Sequence, residues 1–248
     1  MTIKIITLEV LNQTAPYDFQ AGALLLVDKP LEWTSFDVVN KIRYALCRSL
    51  GIKKIKVGHA GTLDPLATGL LLICTGKYTK KIDGLQGMPK TYTGQFKLGA
   101  TTPSYDAESE ETEQQSIAGI DAAALEQTRQ QFLGPIAQYP PMFSAVKIKG
   151  QALYKLARKG KEVERKARNI EIFDFQLTKT NLPLVDFEVA CSKGTYIRSL
   201  AYDFGRALDN AAYLTALRRT KIGEYSIETA WSLPALIEHI ESYKQQQD

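Results

Sequence analysis

Val57-Gly58-His59-Ala60-Gly61-Thr62-Leu63-Asp64-Pro65-Leu66-Ala67-Thr68-Gly69 holds three glycines, one of the chain's two histidines and a single carboxylate within thirteen residues. Glycines allow tight turns and close backbone approaches, so they leave Asp64 on a compact loop. A carboxylate mounted in that way suits general-base or nucleophilic chemistry. It also suits a turn cap, because Asp accepts orphan amide protons and Pro65 lacks one at the first helical position. Residue types alone leave both readings open.

Two further stretches carry chemistry. From Pro140-Pro141-Met142-Phe143-Ser144-Ala145-Val146-Lys147 to Arg168 there are nine basic residues: Lys147, Lys149, Lys155, Arg158, Lys159, Lys161, Arg165, Lys166 and Arg168. Only Glu162 and Glu164 oppose them, and Tyr139, Phe143 and Tyr154 are interleaved. Such a run is a solvated face or a surface for phosphate contacts and base stacking. Ser192-Lys193-Gly194-Thr195-Tyr196-Ile197-Arg198 is a turn that delivers Tyr196 and Arg198 at the mouth of a helix. Arg198 lies opposite Ile197, so it need not be part of the core, and an arginine held there is well placed to grip a carboxylate or phosphate.

The elements that must position these groups follow from hydrophobic pattern. Gly22 to Pro30 is a strand ending in a turn, where Lys29 is either solvated or near a phosphate. Thr34 and Asp37 form a capping-box pattern ahead of an apolar stripe at Val38, Val39, Ile42, Leu46 and Leu50, and Gly51 stops that helix. Leu70 to Cys74 is a buried strand. Lys90 to Gly99 alternates, with Tyr92, Phe96 and Leu98 on one face. Asp106 to Glu113 is expected to be an exposed acidic loop. Asp121 to Gly134 reads as a helix, 185–191 as a strand, 197–208 as a helix, 210–217 as a second short helix and 222–229 as a strand. A last helix surrounds Leu233, Leu236, Ile237 and Ile240, and residues 1–20 form a peripheral arm. Interspersed strands and helices give an α/β or α+β class.

Composition sets bounds. A chain of 248 residues can bury a full core, and 31 Lys+Arg against 27 Asp+Glu give a formal charge of only +4. The three cysteines, Cys47, Cys74 and Cys191, are far apart in apolar contexts and read as buried thiols in a reducing, cytoplasmic compartment. Two histidines and no C-x-x-C make a zinc site hard to assemble. Gly76-Lys77-Tyr78 lacks the spacing and the hydroxyl of a nucleotide-triphosphate loop. There is no signal-peptide pattern and no run of membrane-spanning length.

At the level of motifs the chain resembles the bacterial tRNA pseudouridine-55 synthases, the TruB family. The resemblance rests on Gly58 to Gly69, Leu26-Val27-Asp28-Lys29-Pro30, Lys90-Thr91-Tyr92, Pro140 to Lys147, Gly194-Thr195-Tyr196-Ile197-Arg198-Ser199-Leu200 and Leu217-Arg218-Arg219-Thr220, in the family's order from about residue 22 to 230. It implies isomerisation of uridine to pseudouridine in the T-arm loop of tRNA, with no cofactor and no metal. It implies a pseudouridine synthase fold: one catalytic domain over 1–248, a curved mixed sheet flanked by helices and loops, and a thumb-like RNA-binding insertion at about 141–168.

By the same resemblance Asp64 is the catalytic aspartate, Tyr92 stacks on the flipped base, and Arg198 pairs with Asp64. Lys29, Pro30, His59, Gly61, Thr62, Tyr196 and Leu217 bind the target nucleotide and its loop. Lys147, Lys149, Lys155, Arg158, Lys159 and Arg219 contact RNA. Phe36 and Tyr213 stand where relatives often carry histidine. Too few residues follow the last strand for a PUA domain. The expected partner is the tRNA T-arm, with no membrane and no obligate protein partner, and the protein is expected to be a monomer. A degenerate RNA-binding module, a synthase for another RNA position and a small-molecule α/β enzyme are the competing readings.

Overall fold

A computed structural model describes residues 4–6, 18–144, 146–148 and 150–242. These fall into two compact units: residues up to Lys90 together with Arg218 onward, and Thr91–Leu217.

The first unit opens with β1 (Lys4–Ile6) and β2 (Ala23–Lys29), which pair in parallel. Ile6 is buried, so this part of the expected arm belongs to the sheet; residues 7–17 of that arm lie outside the described residues. Helix α1 (Ser35–Ser49) starts at the anticipated capping box, Thr34 and Asp37 each accepting the other's backbone amide. Gly51, at φ +63°, turns the chain after it. Then come β3 (Val57–His59) and β4 (Ala67–Thr75), which pair with each other, β4 also pairing antiparallel with β2 in a register of Leu26 with Leu72 and Lys29 with Gly69. A 3-10 turn at Gly76–Lys81 and α2 (Ile82–Gln86) complete this stretch. Strands β2 and β4 read as continuous apolar runs because both faces are buried. Leu25, Val27, Leu71 and Ile73 pack with Val38, Ile42 and Leu46 of α1, while Leu24, Leu26, Leu70 and Leu72 pack with Leu85 and Ile222.

β5 (Lys90–Leu98) carries the chain into the second unit. β6 (Ala100–Thr101) and β7 (Glu113–Gln114) pair with each other, and α3 (Ala122–Gln130) is capped by Asp121 and stops four residues short of Gly134, which opens β8 (Gly134–Gln138) at φ +84°. The basic stretch holds β9 (Lys147–Ile148), β10 (Gln151–Ala152) and α4 (Leu153–Ala157). β11 (Arg168–Asn181) pairs with β8 and β12 (Leu184–Cys191), and α5 (Ile197–Ala207) follows. Phe96, Phe175, Phe187 and Phe204 form the aromatic centre of this unit, with ring centroids 4.9–6.0 Å apart. Gly94 lets the Phe187 ring and the Ala216 carbonyl approach, since a Cβ there would lie 2.6 and 2.7 Å from them.

β13 (Ala212–Ile222) runs from the second unit back into the first. The helix expected at 210–217 is this strand. Its Ala and Leu residues are good helix formers, but the chain must pass close against Gly205 on α5, where a Cβ would lie 2.4 Å from the Ala212 nitrogen. Thr215 also donates to the Gln95 carbonyl at 3.0 Å, so tertiary pairing overrides propensity. The strand expected at 222–229 is a hairpin return, β14 (Tyr225–Ser226) after Gly223 at φ +54°, and then a 3-10 turn at Ile227–Thr229. β15 (Trp231–Ser232) pairs with β2, and α6 (Leu233–Ser242) packs on α1, where Ser49 Oγ donates to the Ile240 carbonyl at 2.7 Å. The architecture is a mixed α/β fold. All three cysteines are free; Cys74 and Cys191 are buried, whereas Cys47 is only half-buried. Among the described residues no helix is long and apolar enough to cross a membrane.

Candidate active site

Asp64 stands half-buried in the first unit on a loop that is clamped from three sides. At one side Ser35 Oγ accepts the Leu63 amide at 2.8 Å and donates to the Leu63 carbonyl at 3.1 Å. At another, Glu32 donates its amide to the Pro65 carbonyl at 2.9 Å, and Lys29 Nζ donates to the same oxygen at 3.3 Å. Lys29 Nζ further donates to the Pro30 carbonyl at 2.8 Å and the Trp33 carbonyl at 2.5 Å. The third clamp is Arg219, whose Nε donates to the Leu70 carbonyl at 2.7 Å and whose Nη2 donates to the Gly61 carbonyl at 3.0 Å. Gly61 at φ +94° and Gly69 at φ +105° make these approaches possible; a Cβ on Gly69 would lie 2.3 Å from the Arg219 carbonyl.

The electrostatics follow from burial. Lys29 is 0% exposed, and desolvation lowers its pKa from 10.5 to about 8, while attraction to Asp64 pulls it back upward and Arg219 pushes it down. The ammonium is therefore coupled to the carboxylate on the same loop. His59, half-buried on β3, is held below the ordinary imidazole range by burial and by Arg219, and its Nδ1 is buried without a hydrogen-bond partner. Thr62 is exposed at the tip and Pro30 is half-buried.

In the second unit Tyr92 is buried on β5, on the face expected for it. Arg198, which the sequence left free to lie in or out of the core, is buried at 5% exposure. Its Nη1 donates to the Ser104 carbonyl at 3.1 Å, its Nη2 to the Phe143 carbonyl at 2.8 Å, and its Nε lies 3.5 Å from Asp106 Oδ2. Asp106 in turn accepts from Ser104 Oγ at 2.6 Å and from the Glu108 amide at 3.0 Å. The stretch read as an exposed acidic loop thus begins with a buried residue, because a guanidinium in the interior needs a counter-charge. Asp64, the expected partner of Arg198, belongs to the first unit. Further along the same stretch Glu111 accepts from Lys97 at 2.6 Å and from the Tyr213 hydroxyl at 2.8 Å, so Tyr213 is anchored within its own unit. Burial and Glu111 together push the Tyr213 phenol up to about 12.

Tyr196 is fixed by Gln138, which accepts its amide at 2.8 Å and donates to its carbonyl at 3.0 Å. Leu217 is half-buried on β13. Of the expected RNA contacts, Lys155, Arg158 and Lys159 are exposed, with Arg158 over the Tyr154 ring at 5.6 Å and 3.8 Å from Glu108. Lys149 and the side chain of Lys147 lie outside the described residues. Arg219 is a correction: at 1% exposure it is bonded to the loop backbone, not turned toward a solvent-borne phosphate. Sequence reasoning missed Ser35, Asp106 and Gln138, whose partners lie 28, 92 and 58 residues away (198 − 106 for Asp106). Lys29 was a candidate, but its part as a clamp was also missed. The only local signal was the position of Lys29 and Ser35 at the ends of strongly patterned elements.

The architecture is thus a mixed α/β fold that carries a carboxylate on a clamped glycine loop. Residues 48–197 match the model of the TruB family pseudouridylate synthases, N-terminal domain. The tRNA pseudouridine synthase B of Flavobacterium johnsoniae is 55% identical over 216 residues, 87% of this chain and 94% of that protein. That of Phocaeicola vulgatus is 51% identical over 224 residues, 90% of this chain and 95% of its own length. Among solved structures, a chain in the crystal structure of a Cbf5-Nop10-Gar1 complex superposes with a TM-score of 0.69 at 27% identity over 93% of this chain. This chain spans only 57% of that one. The protein belongs to the TruB family and is an isomerase.

Proposed function

We propose that this enzyme converts uridine to pseudouridine at position 55 in the T-arm loop of tRNA, with Asp64 as the catalytic residue. Relatives named tRNA pseudouridine synthase B, 55% and 51% identical across nearly their whole length, support the choice of tRNA. The observation that carries the role of Asp64 is its mounting. Leu63 and Pro65, its two neighbours, are both held by side chains or amides from elsewhere, while Asp64 itself is half-buried. A rigid backbone beneath a carboxylate is what chemistry at a fixed substrate atom needs.

The reaction breaks the C1′–N1 bond and makes a C1′–C5 bond with the same uracil, so the base must leave its stack, turn and rejoin without escaping. An ionised carboxylate can drive this by attack at C1′ or C6, or by removing a ribose proton to give a glycal. The roles that the family resemblance gives Tyr92 and Arg198 are part of the same proposal, as is a cytoplasmic, cofactor-independent enzyme. The test is position-resolved pseudouridine mapping of bulk tRNA with the purified protein, alongside tritium release from C5-labelled tRNA. Asp64→Asn is expected to abolish release while retaining tRNA binding. Substantial turnover by that variant removes Asp64 from the mechanism, and product at a different position removes the assigned target.

A further inference from the structure

Six lysines crowd the end of β4 that lies farthest from the Asp64 loop. Lys53, Lys54 and Lys56 precede β3, Lys77, Lys80 and Lys81 follow β4, and all six are exposed. The fold brings the two sets together. Val57 pairs with Thr75, the Gly76 amide donates to the Lys56 carbonyl at 2.8 Å, and Thr79 Oγ1 donates to the Gly76 carbonyl at 2.8 Å. Gly76, at φ +51°, lets the chain pass close to Gln20, where a Cβ would lie 2.1 Å from the carbonyl oxygen. A hollow of about 260 Å³ results, lined by Lys54, Lys56, Lys77, Lys80, Gln20 and Thr79.

This charge is not answered from within the fold. Among the described residues none of the six lysines is in an ion pair. The sole carboxylate between residues 53 and 81 is Asp64, at the other end of β4. Asp18, close to Gln20 in the chain, accepts the Gln20 and Ala21 amides at 3.0 and 2.8 Å, which leaves Asp83 as the one acid on α2. Clustered like charges repel, and a bound polyanion relieves that repulsion. The chemistry of the surface narrows the partner. No large exposed apolar side chain falls within residues 52–56 or 76–81. Protein interfaces centre on aromatic and apolar groups and are depleted in lysine, and an amphipathic membrane contact needs an apolar face. Ammonium groups on flexible stems suit a sugar-phosphate backbone, which is met as charge without reading bases.

We infer that Lys54, Lys56, Lys77 and Lys80 form a second RNA contact, taking sugar-phosphate backbone of the tRNA outside its T-arm stem-loop. The inference rests on tRNA being the substrate, as proposed above. The nine residues of β4 separate this surface from the Asp64 loop, about 26 Å at roughly 3.3 Å per residue. A nucleotide seated at Asp64 and those next to it do not reach so far. The T-arm contacts proposed above fall to the basic stretch of the second unit, so this surface of the first unit takes other backbone.

The experiment changes Lys54, Lys56, Lys77 and Lys80 together to Gln, and in a second variant to Arg, and measures binding of full-length tRNA and of an isolated T-arm stem-loop across a salt titration. In the Gln variant, each pair of phosphates left unneutralised should flatten the log–log salt slope for full-length tRNA by about 1.4–1.8 and weaken binding roughly 25- to 60-fold at about 0.1 M salt. The Arg variant should bind as the wild type does. Stem-loop affinity and kcat on the stem-loop should not change, and the melting temperature should not fall. Acetylation of the four lysines, read by mass spectrometry, should be blocked by full-length tRNA and not by the stem-loop. Unchanged affinity for full-length tRNA, equal weakening toward both RNAs, or lysines that stay open to acetylation in the tRNA complex overturns the inference. So does wild-type binding to anionic-lipid vesicles that the Gln variant loses while its tRNA affinity holds. If the wild type binds tRNA but forms no pseudouridine in it, the proposed function has failed, and binding and acetylation still decide this point separately.

Discussion

Replacing Lys29 with Met keeps the length and bulk of the side chain and removes the ammonium, which makes Lys29→Met the sharpest probe of how the Asp64 loop is held. The cost side is readable from the hydrogen bonds. The Pro65 carbonyl keeps the Glu32 amide, so the Pro30 and Trp33 carbonyls are the acceptors that lose Lys29. Stranding two part-buried acceptors costs at most roughly 2–6 kcal/mol. Against this, burial has already lowered the lysine pKa from 10.5 to about 8, a penalty of about 3 kcal/mol on the charged form that the variant no longer carries. The net expectation runs from a gain of about 1 to a loss of about 3 kcal/mol, the latter seen as a fall in Tm of up to about 10 °C for a chain of this size. Turnover should fall further than stability, because the loop loses both its clamp and the positive charge coupled to Asp64. The pH dependence carries a sign. A folded-state pKa below the unfolded one means the fold binds fewer protons between about 8 and 10.5, so the burden on stability is full below about 8 and is relieved as pH rises to 10.5. Denaturant melts of the wild type across that window should show the rise, and those of Lys29→Met should not. Equal stability and equal turnover in the variant, with the same pH profile, would refute the clamp.

Three further outcomes follow from the same geometry. Gly69→Ala places a Cβ 2.3 Å from the Arg219 carbonyl at φ +105°, and is expected to cost roughly 2–4 kcal/mol in urea unfolding. Asp106→Ala removes the carboxylate 3.5 Å from the buried Arg198 and the acceptor of Ser104 Oγ, and should cost about 1–3 kcal/mol, with Asp106→Asn intermediate because it keeps an acceptor. Changing Lys155, Arg158 and Lys159 together to Gln should flatten the log–log salt dependence of tRNA binding by about 0.7–0.9 for each phosphate that is no longer neutralised, with little effect on single-turnover chemistry.

The main elements of both units were largely legible because their signals are local. The Thr34–Asp37 cap, the stripe on α1, the run from Leu70 to Cys74 and the alternation of Tyr92, Phe96 and Leu98 each need only a few neighbouring residues to be read. What was misread depends on distant partners. Residues 212–217 have helical composition and become strand because Gly205 and Gln95 receive them. Asp106 looks solvated within an acidic run, and only the fold reveals that a buried guanidinium occupies its carboxylate. Arg219 follows the same logic with opposite charge: in a basic motif it suggests phosphate, yet its guanidinium is used on two backbone carbonyls.

A glycine-rich loop has few side chains with which to fix itself, so its carbonyls must find donors elsewhere. In this protein the donors are Lys29 at the end of β2, Ser35 at the first position of α1 and Arg219 on β13, reaching across 36, 28 and 158 residues to Pro65, Leu63 and Gly61. Two of the three are cations, and buried cations are costly unless oxygen surrounds them. The loop supplies that oxygen as backbone, which cannot be removed by substitution. The mount is thereby held by strong donors while Asp64, the proposed catalytic residue, carries the opposite charge and is half-buried. Separating support from chemistry in this way explains why the motif around Asp64 is recognisable alone, yet is rigid only in the company of three residues that lie outside it.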